Sequence, residues 1–310
     1  MVIDDTSTEN DWEYVGSGSA NAVFAYKGSC VKFRGKVVRF RLVGTEVSTE
    51  EIFFYLQSSA FNSIRKYMVS ASLLTIKQQT ICEFQTLAKC KGLSIKLDPN
   101  ETYCLIMKNI LSHSLSEYER IQLSKYHIFL VHKAEKEIVF EFKPKWLYQL
   151  PASHKNCRNC LIAKSKGQEF VSCHLKLLKG EKGISEWCKE LQEELGRRTQ
   201  TNIDIFQSLK NCVIANYALI LSLYELQNSI EIHDRLMQLT SEYDVNEDLQ
   251  LNMTLRDVSI FMNLSKGEVF VLDLDKKSAK KWKKWKNQEQ KLQGLHEKDL
   301  SLNCRFKARS

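Results

Sequence analysis

The spacing of apolar residues changes along the chain, and the changes outline its elements. Residues 12–42 carry three short alternating runs, WEYV, AVFAY and GKVVRFRL, separated by turns rich in glycine and serine. A period of two puts alternate side chains on one face, so these runs predict a small antiparallel sheet. Ser48-Thr-Glu-Glu51 then precedes the apolar run IFFYLQ. Serine followed three residues later by glutamate is a capping box and predicts a helix start near Ser48. VSASLLTI (69–76), YCLIM (103–107) and IVFEF (138–142) read as buried strands completing a β-rich first half.

The second half has a different rhythm. ISEWCKELQEEL (184–195) is apolar at 184, 187, 188, 191 and 195, which is helical spacing. NCVIANYALILSLYEL (211–226) is apolar nearly all round and predicts one buried helix. Strand alternation returns in LRDVSIFM (255–262) and EVFVLDLD (268–275), joined by a short turn at Ser265–Gly267. That pair predicts an antiparallel hairpin, followed by a helix with Trp282, Trp285, Leu292 and Leu295 on one stripe. The expected class is α/β (α+β) with mixed or antiparallel sheets. A chain of 310 residues exceeds the length at which single cores stop growing, so two lobes are expected, 1–110 and 111–310.

Composition narrows the function classes. With 43% hydrophobic and 26% charged residues the chain can bury a sizeable core. No run of about 18 apolar residues occurs, so no membrane span is expected. The acidic N-terminus MVIDDTSTEND is unlike a signal peptide. The ten cysteines therefore read as reduced thiols or metal ligands, and the expected address is nucleus or cytoplasm. A net charge of +8 favours an anionic partner: nucleic acid, an acidic membrane or a small polyphosphate. Seven lysines crowd the eleven positions of KKSAKKWKKWK (276–286).

Four places can carry chemistry. The loop Gly16-Ser17-Gly18-Ser19-Ala20-Asn21 lies between two predicted strands, where backbone N–H groups can turn inward on an anion; a plain hairpin turn has the same composition. Lys36 and Arg39 on the following strand can face phosphate or simply solvent. Asp257, Asp273 and Asp275 interrupt apolar runs, and carboxylates in such surroundings need a cation partner or a metal. Arg256 or a lysine can supply the cation; otherwise the pair reads as a hydroxyl-orienting base and an Mg²⁺ ligand set. Cys157-Arg-Asn-Cys160 with Cys173-His174 fits either structural zinc or a reduced cluster, with His154 as a further candidate ligand.

Three motifs in order give the chain a resemblance. Glu141-Phe-Lys143-Pro-Lys145 matches an E-x-K-P-K box, followed by T-L-R-D-V-S-I-F-M (254–262) and V-L-D-L-D-K-K (271–277). Together with the glycine loop and the C-R-N-C pair, they resemble the inositol-pentakisphosphate 2-kinase family over almost the whole chain. That resemblance implies a two-lobed kinase-like fold with a basic inositide-binding region in the C-terminal lobe. It implies transfer of the ATP γ-phosphate to the 2-hydroxyl of inositol pentakisphosphate, giving inositol hexakisphosphate (phytate).

Family roles fall on particular positions. Gly16–Asn21 and Arg39 match the ATP-phosphate segment, and Met107–Asn109 the adenine hinge. Lys143, Lys145, Lys179 and Lys277 match substrate-binding lysines. Asp257 matches the proton acceptor and Asp273 a metal ligand, with Asp275 beside it. Lys281 and Trp285 stand where the family has arginine and tyrosine against the inositol, and Ser19 where it often has glycine. Proline holds a bend, so Pro144 fixes Lys143 and Lys145 as separate charges for a substrate carrying about −8 to −10. A monomer using ATP and Mg²⁺ is expected, with zinc structural and neither membrane nor obligatory nucleic-acid partner.

Two rivals make different demands. A protein kinase needs H-R-D-x-x-x-x-N and D-F-G, whereas this chain has Met262 five positions beyond Asp257. A nucleic-acid-binding module would use KKWKKWK for phosphate contact and base stacking, unless its tryptophans pack inward.

Overall fold

The computed structural model describes residues 11–148, 157–168, 171–199 and 203–296. The chain divides into two compact units, Met1–Asn62 with Met68–Glu117, and Ser63–Tyr67 with Tyr118–Ser310. Residues 111–117 thus join the first unit and Ser63–Tyr67 the second, unlike the single break expected at 110. The two-lobed α/β class is otherwise the class observed, with an antiparallel sheet in each unit.

In the first unit β1 (Trp12–Ser17), β2 (Asn21–Tyr26), β3 (Lys36–Arg41), β4 (Ala71–Thr75) and β5 (Tyr103–Lys108) form a sheet ordered β1-β2-β3-β5-β4. Alternation buries Ala22, Phe24, Val38 and Phe40 on one face. α1 (Thr49–Leu56) starts at the predicted capping box: Glu51 N–H donates to Ser48 Oγ at 3.2 Å, and Ser48 N–H to Glu51 Oε2 at 2.8 Å. α2 (Gln78–Cys90) lies where the sequence predicts no element, because only a narrow stripe of Ile81, Phe84 and Ala88 breaks its polar run. Phe84 closes the core, with its ring centroid 4.9 Å from Phe24 and 4.6 Å from Phe40.

The second unit is built on β6 (Tyr118–Ser124), β7 (His127–His132), β8 (Ile138–Phe142), β9 (Ser259–Asn263) and β10 (Glu268–Leu272), ordered β10-β9-β8-β7-β6. Its helices are α3 (Arg158–Ser165), α4 (Gly180–Arg198), α5 (Phe206–Ala215), α6 (Tyr217–Gln227), α7 (Ile232–Gln238), α8 (Glu247–Leu255) and α9 (Trp282–His296). α4 buries Ile184, Trp187, Cys188, Leu191 and Leu195, the stripe its spacing predicts. Trp187 packs on Phe142 at 5.0 Å between ring centroids.

Two expectations fail here. The run 211–226 is two helices, interrupted at Asn216, whose backbone N–H and Nδ2 donate to the Cys212 carbonyl at 3.2 and 2.9 Å. Ile214 and Leu221 reach the surface, so the run is not buried all round. LRDVSIFM is not one strand either. Leu255 ends α8, Arg256 and Asp257 turn the chain, and β9 begins at Ser259.

Candidate active site

Strand order decides which motifs meet. β7, β8, β9 and β10 are antiparallel neighbours, so one sheet edge carries the ends of β8 and β10 and the starts of β7 and β9. One residue beyond those ends stand Lys143, Asp273 and Tyr126, and two residues beyond stands Asp257. Motifs more than a hundred residues apart in sequence therefore come together at one place.

Pro144 sits at the centre of a three-residue turn in which Lys145 N–H donates to the Lys143 carbonyl at 2.7 Å. Lys143 Nζ pairs with Glu141 Oε1 at 3.1 Å. Burial resists its charge, but Glu141 and Asp273 outweigh burial and raise its pKa. Lys145 turns the other way, onto Asp257 Oδ1, while Lys277 Nζ takes Asp257 Oδ2 at 2.7 Å. Burial pushes the Asp257 pKa up, but Lys277 and Lys145 more than compensate and hold it at about 2. Lysines, not Arg256, neutralise this carboxylate.

Asp273 lies one residue past β10 with φ 63°, so strand alternation ends before it and does not set Asp275 on its face. Ser259 Oγ donates to Asp273 Oδ2 at 2.7 Å. The Asp275 carbonyl accepts from Thr254 Oγ1 at 3.0 Å, tying this segment to α8.

A fully buried amide joins the two halves of the site. Gln227, at the end of α6, accepts from Leu147 N–H at 2.8 Å. Its Nε2 donates to the Pro144 carbonyl at 3.2 Å and the Leu255 carbonyl at 3.0 Å. Those backbone groups flank Lys145 on one side and Asp257 on the other. Trp146, with φ 56°, lies beneath two guanidinium groups, Arg158 Cζ at 3.6 Å and Arg256 Cζ at 4.5 Å from its ring centroid. Arg158 is held in turn by buried Glu289 of α9.

Lys145, Asp257 and Lys277 open onto a cavity of about 850 Å³ whose wall includes Lys125, Lys166, Lys281, Lys284 and Lys291. Among the described residues Asp257 is its only carboxylate. Trp285 contributes to the wall, but its ring is buried with Tyr148, Leu161 and Leu292, and Trp282 packs against the same cluster. The tryptophans thus serve as core and do not form an exposed stacking platform. Lys143, Lys179 and Asp273 do not line this cavity. Lys179 ends a short helical turn against α4, where Gly183 is required: a Cβ there would meet the Lys176 carbonyl at 2.0 Å.

The glycine loop belongs to the first unit. Gly18 N–H donates to the Asn21 carbonyl at 3.0 Å, and Arg41 donates to Asn21 Oδ1 at 2.9 Å. Neither Gly16 nor Gly18 has positive φ, and β1 pairs with β2 across the loop, which agrees with the hairpin-turn reading of it rather than the nest. A Cβ on either would meet nothing within 4 Å, which leaves open space above the backbone. Arg39 lies between Val23 and Leu105, and Met107 pairs with Val37 on the same sheet. Asn109 N–H donates to the Gly35 carbonyl at 2.8 Å.

The inositol-pentakisphosphate 2-kinase family model matches residues 14–216 and 216–291. The chain belongs to the inositol-pentakisphosphate 2-kinase family. An inositol-pentakisphosphate 2-kinase of Debaryomyces hansenii is 27% identical, over 96% of this chain and 94% of its own. One from Kluyveromyces lactis is 25% identical, over 90% and 93%. The Saccharomyces cerevisiae protein of that description is 28% identical over a shorter stretch, 63% of this chain and 62% of its own.

In this family member three of the five candidate zinc ligands converge. Cys157, Cys160 and Cys173 are buried with their sulfurs within 4.8 Å of one another, at the start of α3. His174 is not in the group. Its ring packs edge-on against Tyr126, His127 and Phe142, and burial lowers its pKa to about 3. Adjacent residues on a tight turn point apart, which separates it from Cys173. His154 lies outside the described residues.

Gln227, Arg158 and Trp146 are site residues that sequence reasoning misses. The glutamine acts through backbone groups distant in sequence, and a single glutamine forms no motif. The arginine is legible only as the spacer in C-R-N-C.

Proposed function

We infer that this protein is an ATP-dependent inositol-pentakisphosphate 2-kinase that phosphorylates the 2-hydroxyl of inositol pentakisphosphate to give inositol hexakisphosphate. The observation that carries the reading is Asp257 clasped by Lys145 and Lys277 on the wall of a strongly cationic cavity. A single carboxylate among many lysines suits a hydroxyl that must be oriented inside a shell of phosphates.

Charge placement supplies the mechanism. A carboxylate with a pKa of about 2 is a weak base, so Asp257 is held inactive while both lysines sit on it. Substrate phosphates compete for Lys145 and Lys277. As each ammonium turns toward phosphate, the carboxylate regains basicity and accepts the 2-hydroxyl hydrogen. The hydroxyl oxygen then attacks the ATP γ-phosphorus in line; the new O–P bond forms as the bond to ADP breaks. Lys281 extends the cationic wall and Trp285 supports it from within, while Lys143 and Lys179, which stand outside that wall, would meet only ring phosphates that project beyond the cavity.

Gly16–Asn21 and Arg39 bind the ATP phosphates, and Met107–Asn109 the adenine. Asp273 and Asp275 present hard oxygen donors suited to Mg²⁺, which takes few carboxylates and keeps its waters. The Ser259 hydrogen bond holds the Asp273 side chain in place. When bound there, Mg²⁺ offsets charge on the ATP phosphates. The cysteines fit structural zinc: Cys157 Sγ and Cys173 Sγ are 3.7 Å apart, and Zn–S bonds of about 2.3 Å set tetrahedral sulfurs about 3.8 Å apart.

An ATP-consumption assay across inositol phosphates and peptides tests the reading. Turnover confined to inositol phosphates with a free 2-hydroxyl is expected. Equal turnover with peptides, or none with the pentakisphosphate, would overturn it.

A further inference from the structure

We propose that Lys125 and Lys166 form a phosphate subsite that reads a ring phosphate remote from the reacting hydroxyl, making them specificity-determining residues. The proposal rests on the kinase reading above. It concerns the part of the cavity wall supplied by the β6–β7 turn and the end of α3.

Both lysines are carried by backbone tied to the K-P-K turn. Lys125 lies in the turn joining β6 and β7, where Tyr126 N–H donates to Ser124 Oγ at 3.0 Å. The carbonyl of Tyr126 accepts from Lys143 N–H at 2.9 Å, which fixes that turn beside the K-P-K segment. Lys166 caps the C-terminus of α3, its N–H donating to the Ala163 carbonyl at 3.1 Å. The cavity-facing side of α3 runs through Arg158, Asn159, Ile162 and Lys166, the spacing of one helical face. Asn159 Nδ2 donates to the Lys145 carbonyl, so this helix too is anchored to the turn. The three lysines are therefore carried by one interconnected backbone.

Their charges are arranged for an anion. Among the described residues no carboxylate pairs with Lys125 or Lys166, whereas Lys145 and Lys277 share Asp257. Lys125 rests on the Tyr126 ring at 4.8 Å. Burial first, then Lys166 and Lys145, lower its pKa, as expected where like charges are close. Such mutual repulsion is relieved by a dianionic group lying among them. A phosphomonoester carries about −1.5 to −2 near neutral pH and offers three acceptor oxygens. Lys145 and Lys277 stand beside Asp257, where the reacting hydroxyl must lie, so Lys125 and Lys166 are left for a phosphate that does not react. An inositol phosphorylated at every carbon but one necessarily presents such phosphates.

The test pairs protein variants with trimmed substrates. Lys125→Gln, Lys166→Gln and the double variant are titrated by calorimetry, without ATP, against the pentakisphosphate and tetrakisphosphates each lacking one further phosphate. Each glutamine should weaken pentakisphosphate binding by about tenfold, the lower end for charge-assisted contacts. Arginine at either position should restore most of the loss. One tetrakisphosphate should bind the wild type correspondingly less well and lose nothing further in the double variant. Neither side chain is part of the buried core, so folding is not at stake. Unchanged pentakisphosphate affinity in the double variant would overturn the subsite alone, as would equal weakening toward every tetrakisphosphate. Failure of the wild type to bind any of these ligands would overturn the kinase reading and the subsite with it.

Discussion

Replacing Gln227 with methionine keeps the side chain's length and removes all three of its hydrogen bonds. The affected groups are Leu147 N–H and the carbonyls of Pro144 and Leu255, in a position with no solvent exposure. Stranding a buried polar group costs about 1–3 kcal/mol, and partial relaxation should bring the three together to about 2–5 kcal/mol. That is a large share of the roughly 5–15 kcal/mol typical of a folded domain, yet it leaves a folded protein to assay. Urea unfolding should report the loss.

The functional consequence is more specific. Pro144 and Leu255 hold the backbone on either side of Lys145 and Asp257, and a displacement of about 1 Å in such a site can cost roughly 10²-fold. kcat/KM for the inositide should fall by that order while KM for ATP stays near wild type. The decisive assay is a double-mutant cycle with Lys145→Ala. If Gln227 acts by registering Lys145 against Asp257, its effect on kcat/KM shrinks once Lys145 is gone, with a coupling of about 0.5–3 kcal/mol. Strict additivity, or lost stability with unchanged kcat/KM, would refute the reasoning.

Other outcomes follow from the same geometry. Asp257→Asn should lower kcat by about 10²–10⁴-fold, the usual contribution of a positioned base, with calorimetric binding of both ligands retained. Because the folded Asp257 pKa is depressed to about 2 from an ordinary value near 3.9, its stabilising share is complete above about pH 4. It is lost as pH falls toward 2, so the acid titration of Asp257→Asn should lack that component; identical acid profiles would be contrary evidence. Elemental analysis should find one zinc per chain, lost together with thermal stability in Cys157→Ser. A metal-free preparation of full stability would remove the zinc assignment.

Much of the fold is legible locally. The capping box at Ser48, the stripe of α4 and the hairpin of β9 and β10 each follow from a pattern within a few residues. What misleads is context. Asp257 looks like a strand residue because Val258, Ile260 and Met262 alternate just beyond it and apolar Leu255 precedes it, but Leu255 belongs to α8 and is buried there. Asn216 looks like a tolerated polar residue in an apolar helix, yet its amide ends one helix before the next begins. The K-P-K lysines, Asp257 and Asp273 can be named from their motifs. That Lys145 and Lys277 both rest on Asp257 depends on antiparallel strand order across more than a hundred residues, which no local pattern contains.

The most direct check is the position of the transferred phosphate. The wild-type protein is incubated with ATP, Mg²⁺ and the inositol pentakisphosphate whose 2-hydroxyl is free, and the product is examined by proton–phosphorus correlation NMR. Inositol hexakisphosphate is expected, with the new phosphorus coupled to the proton on carbon 2, and no such product from Asp257→Asn. A phosphate appended to an existing phosphate, or a product that still has a free 2-hydroxyl, would contradict the assignment.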